Sequence, residues 1–549
     1  MKISFLFTLL LIFNSIHAEA AVNRPILKWK YGGCYSSWCE TGWYSSPAVA
    51  DLDNNGTFEV IGSAYSVAAL KGTTGELIWR VDSGKDRNSS PGYSHRTWPG
   101  IWVTDVDDDG MDEIITAHSG GYVSVYNNRG YFKPGWPKRP TTNELRGLVV
   151  NDIDMDGTAE IIVTGATYNQ TNIWVFEHTG ELRSGWPQLN NSSGSAYGVF
   201  NDNAWVEDLN NDGISEIVVP SDVTTLCAYR PDGNQLNAAP LYGGKKWGDV
   251  GTWENLSVEL RGWGKCDGNR AESYRSNFAH GAAVIADMDG DDRKEVVVTG
   301  NMYNCDIGHP PGQYTSLFIF NGDRSRFKKG VWNWEQAPIN TGAPLSEDYS
   351  VIENCQPNPV VVDLDGDSIK EILFASYDGK MHAYWLDKNE HHNWPYSIYN
   401  SSEGFYRFGS EPVVADLDND GCSEVIFTSW VEKTDSGIRL GKLHILDCRG
   451  NVLHELALPP PKSANRHTNG ALPAPTIANI DGDSDYELVI NTINSGFIAY
   501  DLPGSAGAFI QWQSGRNRGN SLQSRKNPVI LPATLLLLHN QTAIEGIRQ

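Results

Sequence analysis

The chain has no hydrophobic run long enough to cross a bilayer. Its two apolar stretches, 3–13 and 529–538, hold about half of the roughly 20 residues a spanning helix needs. Sulfur is scarce, with 8 Cys and 6 Met in 549 residues. Positive charge is in deficit: 43 Lys and Arg face 67 Asp and Glu, and no basic patch argues for nucleic acid. No Gly-x-Ser-x-Gly elbow, His-Glu-x-x-His zinc motif or phosphate loop is present. His95, His280, His391, His392 and His467 are candidate general bases without an identifiable partner, so no catalytic residue is assigned. Helical periodicity is missing as well. The 55 Gly, 27 Pro and 19 Trp that remain suit a β-rich protein with many turns.

The pattern Asp-x-Asp-x-Asp-Gly-x-x-Glu, with close variants, occurs eight times. The second copy has Asp105, Asp107 and Asp109 at positions 1, 3 and 5 and Glu113 at position 9. The third has Asp152, Asp154, Asp156 and Glu160, and the seventh Asp416, Asp418, Asp420 and Glu424. The first (Asp51, Asp53, Asn55, Glu59) and the fourth (Asp208, Asn210, Asp212, Glu216) each trade one acid for Asn. The fifth (Asp287, Asp289, Asp291, Glu295), sixth (Asp363, Asp365, Asp367, Glu371) and eighth (Asn479, Asp481, Asp483, Glu487) place Asp292, Ser368 and Ser484 at position 6 and carry Gly at position 4 instead. Oxygen-bearing side chains at alternate positions of a tight turn converge on one point, which is how a hard cation such as Ca2+ is held. One Asp-Gly turn alone is a plain β-turn more often than a metal site; eight at equivalent positions favour metal. The Glu at position 9 has two readings, a ligand or a cap on the loop's N–H groups. By acid count and glycine, loops 2, 3 and 7 should bind best, loops 1 and 4 next, and loops 5, 6 and 8 least. The loops hold 29 of the 67 acids; without them 38 acids would face 43 Lys and Arg, so the net charge of -24 resides in the loops.

Each copy is entered by a short apolar run, and its Glu opens a Val/Ile-rich one, such as "EIITAH" or "EVVVTG". A third, alternating strand and an aromatic-tipped fourth follow. Four short strands per unit of about 50 residues is the signature of a propeller blade. First-ligand spacings of 54, 47, 56, 79, 76, 53 and 63 place insertions near 238–280 and 323–354. The expected fold is all-β, an eight-bladed propeller over 21–520, with seven blades plus an irregular unit as the alternative. Ile26 to Trp29 could complete the last blade from the N-terminus, yet Phe509 to Trp512 looks like that strand already supplied. Trp79, Trp136, Trp186 and Trp394 recur at one position and suit packing between blades. Trp247, Trp253 and Trp263 stand in an insertion, expected on the face opposite the Asp loops, where stacking on sugar, anchoring a partner and loop packing stay open.

Residues 1–20 read as a signal peptide: Lys2, an apolar stretch, then Ala18-Glu19-Ala20. That predicts a secreted or cell-surface protein in an oxidising, calcium-rich setting. Of its eight cysteines, Cys34–Cys39, Cys422–Cys448 and Cys266–Cys305 are candidate pairs, while Cys227 and Cys355 lack an evident reason to pair. Residues 521–549 form a tail with the second apolar run.

Stretches such as "AYGVFNDNAWVEDLNNDGISEIVVPS" and "NFAHGAAVIADMDGDDRKEVVVTG" resemble the FG-GAP/VCBS repeat family, which includes the integrin α-subunit propeller. The resemblance covers nearly the whole chain after residue 20 and implies a Ca2+-stabilised β-propeller. It implies no single function, because one fold hosts many. A binding or adhesion module for an extracellular protein or glycan is the first reading. A polysaccharide lyase is the competitor, since some rhamnogalacturonan lyases use a Ca2+-loaded propeller with similar loops.

Overall fold

A computed structural model describes residues 22–517, apart from 33, 36–37, 40–44, 91, 93–94, 168–170, 189–198, 200, 202–203, 221–224, 254, 260–263, 267–268, 272–274, 280, 304–314, 338–357, 377, 433, 435 and 464. The signal-peptide and tail expectations, Trp263, Cys305 and Cys355 lie outside the described residues. Among those residues the chain is all-β, and the one α-helix is the four-residue Leu256–Glu259. No helix among them is long and apolar enough to cross a membrane.

The first unit sets the plan. Ala48–Ala50, Glu59–Ser63, Ser66–Lys71 and Leu77–Asp82 pair antiparallel in chain order. Seven further sheets repeat the strand–Asp loop–strand hairpin. The loop Glu always lies opposite the residue that enters the loop, as in Ala50↔Glu59, Asn151↔Glu160 and Ala478↔Glu487. The second strand is buried along its whole length in units such as Glu59–Ser63 and Glu216–Pro220. Its Val and Ile side chains face the neighbouring sheet on either side, so it reads as a continuous apolar run. The core is accordingly divided into clusters between successive sheets. One joins Trp29, Val489 and Phe497 to Val60 and Leu70, linking the last unit to the first.

Closure comes from the N-terminal strand. Ile26–Tyr31 pairs with Gly496–Leu502 as the outer strand of the last sheet. The sequence left Phe509–Trp512 as a rival for that place. It pairs instead with Val413–Asp416, the innermost strand of unit 7. The segment continues across the centre of the ring. Gln511 contacts Asp363, the Ile477 N–H donates to the Gln513 carbonyl, and Arg516 donates to the Ala204 and Ala283 carbonyls. Trp512 stacks on Trp205 at 5.6 Å between centroids. Trp512→Ala should cost about 3–5 kcal/mol, read as a lower midpoint in urea. An unchanged midpoint would show that this segment does not hold the ring.

The recurrent tryptophans link adjacent units, as expected. The indoles of Trp79, Trp136, Trp186 and Trp394 donate to the Asn128, His178, Pro231 and Cys448 carbonyls, each in the turn of the next unit, at 2.9–3.0 Å. Trp29 closes the series onto Gly72 at 2.6 Å. The inserted Trp247 and Trp253 are buried. Their segment packs against the 321–326 turn, where the Arg324 guanidinium donates to the Val250 carbonyl at 3.2 Å. That turn stands on the Asp-loop side, so this part of the insertion is not on the opposite face, and these two rings are not offered to a ligand.

Candidate metal sites

The eight loops follow nearly one backbone path. In loops 1–7 the position-1 carboxylate accepts from the N–H groups of positions 5 and 6, as Asp105 does from Asp109 at 3.1 Å and Gly110 at 2.8 Å. In every loop the position-5 side chain accepts the N–H of position 7, as Asp420 does from Cys422 at 2.8 Å. Positions 4 and 6 both take positive φ in loops 1–7. Gly fills position 6 in five of these; in loops 5 and 6 it fills position 4, and Asp292 (φ 66) and Ser368 (φ 73) complete the same turn. The glycine shift that ranked those loops low in the sequence therefore leaves the turn intact. Loop 8 departs further, because Asn479 accepts at position 4 instead, from the Gly482 N–H at 2.7 Å.

Of the two readings of the position-9 Glu, the cap is the one seen directly. One oxygen caps the loop in all eight copies, accepting the N–H of position 2, from Leu52 in the first loop to Ile480 in the last. The other faces the position-3 side chain. Asp51, Asp53 and Glu59 each bring one oxygen within 4.8 Å of the others, and so do Asp105, Asp107 and Glu113, Asp152, Asp154 and Glu160, Asp287, Asp289 and Asp291, and Asp363, Asp365 and Glu371. Several of these oxygens are buried and lack a hydrogen bond: Asp107 Oδ1, Asp154 Oδ1, Asp289 Oδ2 and Asp418 Oδ1 at position 3, and Glu371 Oε1 at position 9. A carboxylate oxygen can only accept, so its burial without a donor costs free energy unless a cation faces it. The clusters fit a hard divalent ion on that ground.

Burial pushes the position-9 carboxyls up: Glu371 to about 9, Glu160, Glu295 and Glu424 to about 8, Glu113 and Glu216 to about 7. The capping N–H opposes this, and the neighbouring Asp charges add to it.

Sequence reading missed the basic side chains that enter four loops. Lys133 Nζ lies 2.8 Å from Asp107, 3.0 Å from Asp109 and 2.9 Å from Glu113. Arg183 pairs with Asp154 and Glu160, Lys329 with Asp289 and Asp291, and Lys28 with Asp481 and Glu487. In loop 4 the Asn210 amide donates to Glu216 at 2.8 Å. Loops 1, 6 and 7 have no Lys or Arg partner among the described residues.

Neighbouring loops are joined through the backbone. The Ala159, Ser215, Lys370 and Ser423 N–H groups, at position 8 of their loops, donate to the position-2 carbonyl of the loop before. Distortion of one loop thus reaches the next sheet. Loop 7 has a covalent tie too, the expected Cys422–Cys448 disulfide, 26 residues apart in sequence. The double variant C422S/C448S should lose about 3 kcal/mol, measured by chemical denaturation; an equal midpoint would mean the bridge does not contribute. Cys227 is buried in the core of unit 4.

One cavity of about 320 Å³ lies along the innermost strands of units 2 to 4. Trp102, Trp205, Asn151 and Glu207 line it with Arg516 and Asn517 of the central segment. Asn151 and Glu207 immediately precede loops 3 and 4, so the cavity reaches the Asp-loop end of those strands.

An FG-GAP-like repeat model matches residues 105–163 and 363–427, which contain loops 2, 3, 6 and 7. No curated protein matches the sequence. Among solved structures, the Vibrio cholerae biofilm matrix protein Bap1 is similar at 14% identity and a TM-score of 0.52, over 90% of this chain and 93% of that one. The exotype rhamnogalacturonan lyase YesX matches at 14% identity and 0.49, over 87% and 75%, and a Bacillus licheniformis rhamnogalacturonan lyase at 14% and 0.44, over 87% and 75%. The all-β units with their repeated Asp loops make the chain a β-propeller, and it carries FG-GAP-like repeats at residues 105–163 and 363–427.

Proposed function

We propose that the protein is a secreted or cell-surface binding module, an eight-bladed propeller whose loops are fastened by Ca2+. The observation that carries the calcium reading is the pair of buried, donorless carboxylate oxygens of loops 6 and 7, Glu371 Oε1 and Asp418 Oδ1, in loops that no Lys or Arg of the described residues enters. Asp and Glu oxygens alone, with no Cys or His, favour a hard cation over zinc or copper. Likeness of fold to a biofilm matrix protein supports a place outside the cell and an adhesive role. The central cavity is the proposed ligand position. Its volume suits a small ring, and two indoles beside an amide, a carboxylate and a guanidinium suit a glycan unit. Burial of Trp247 and Trp253 moves recognition away from the first insertion and towards this cavity.

Binding to a glycan array and to extracellular matrix proteins, run in Ca2+ and in chelator, tests the proposal. Retention by one ligand class, lost in Trp205→Ala and Asn151→Ala, is the expected result. Release of an unsaturated uronate product would replace the binding module with a lyase.

A further inference from the structure

The eight loops share a motif, yet the chain supplies a cation to some and not to others. The supply follows one position of the repeat. In units 1 to 7 the turn before the outer strand holds a residue of positive φ, such as Gly75, Gly130, Gly180 or Gly450. Three residues on, units 2 and 3 have Lys133 and Arg183, whose side chains enter loops 2 and 3. Units 1 and 7 have Ile78 and Leu453 there, both partly exposed at 45% and 37%. Lys28, one residue before Trp29 as Ile78 is before Trp79, serves the last loop from the N-terminal strand. Loop 5 receives Lys329 from two residues further along its strand. In unit 6 the position holds His391, which turns to Asp387 at 3.0 Å and leaves loop 6 alone.

Every one of the four basic groups touches the position-3 carboxylate, the side chain that would face a bound ion. An ammonium or guanidinium there pairs with one oxygen of that carboxylate and supplies the positive charge the cluster needs. A divalent ion would have to displace it.

We propose that the chain closes loops 2, 3, 5 and 8 with its own tethered cation and loop 4 with the Asn210 amide, so that Ca2+ is taken up by loops 1, 6 and 7. This rests on the calcium reading above and departs from the ranking by acid count and glycine: loops 2 and 3, ranked best, are closed, while loop 6, ranked low, is open. The single side chain three residues past the turn decides which state a loop of units 1, 2, 3 and 7 adopts. The closed loops hold their hairpins without metal, and the open ones make their hairpins conditional on it.

Equilibrium dialysis with radioactive Ca2+ at millimolar concentration or below counts the sites, with circular dichroism to confirm folding. Wild type should bind about three ions in this affinity range of extracellular modules. Lys133→Met and Lys329→Met should each gain a site, and Ile78→Lys should lose one. Lys462→Met, which removes an equal charge beside the Asn494 turn at the strand end opposite the Asp loops, should leave the count alone. Ile78 is partly exposed, so the Lys variant keeps the test open even if a Met variant fails to fold. Binding by all eight loops with no response to the variants would overturn the sorting and keep the calcium reading. A count unmoved by Lys133→Met and Ile78→Lys would also overturn the sorting. No binding by any variant would overturn the calcium reading itself.

Discussion

Removal of Ca2+ is expected to lower the melting temperature by about 8 °C. A site with a dissociation constant of about 10^-4 M contributes about 2.7 kcal/mol at ~10 mM free ion. Three open loops then give about 8 kcal/mol. Unfolding entropy near 2.1 cal/mol/K per residue makes a chain of this size lose about one degree per kcal/mol. The loss should be cooperative, because position 8 of one loop donates to position 2 of the loop before. Melts in Ca2+ and in chelator measure the shift, and its size carries information. About 20 °C would mean that all eight loops are filled. No shift would remove metal from the account of the fold. Mg2+ should substitute poorly, since it demands a tighter octahedral shell than these loops offer.

The motif made both hairpin and loop legible in the sequence. Each Asp loop occupies the same place between two strands, and the register of its Glu never slips. The tryptophan series was legible for the same reason, since a residue that recurs once per unit must meet the same neighbour each time. What was not legible came from outside the repeat. Phe509–Trp512 has the composition of an outer strand, and nothing local says that Ile26–Tyr31 has already taken that edge. Lys133 and Arg183 were visible as residues, but their partners lie 20 and more residues earlier, and strand register alone brings them together. The signal was available: counting three residues from the turn glycine exposes the alternation of basic and apolar side chains. Ranking loops by acid count does not use it, although acids also attract the chain's own cations. Nor does glycine position decide the turn. Either of two sites can relieve the strain of one turn, as Asp292 and Ser368 show.

The pH dependence of stability should have opposite slopes with and without Ca2+. Without the ion, burial raises the position-9 carboxyls above the ordinary 4.5, to about 9 at Glu371 and about 8 at Glu424. The folded chain then keeps protons that the unfolded chain has released. Stability of the metal-free protein should therefore fall as pH rises from about 4.5 to about 9. Glu160, Glu295, Glu113 and Glu216, raised in the same way, add to that slope. A bound ion replaces the proton and favours the charged form. Its folded carboxyls titrate below the unfolded ones, so the stability it brings is present above pH 4.5 and is lost as pH falls. Other groups tilt both curves alike. His118 and His444, held neutral by burial, weaken the fold below their ordinary 6.5, and His382, raised to about 9 beside Asp378 and Glu390, weakens it above. The calcium increment is free of them, and it should be small near pH 5 and largest near pH 9. Glu371→Gln isolates the effect. The amide oxygen can still accept the Leu364 N–H but carries no proton to lose. At pH 9 the variant should be more stable than wild type in chelator and less stable in Ca2+. If the order is the same in both solutions, the carboxylate does not face an ion, and Glu371 serves the loop as a cap alone.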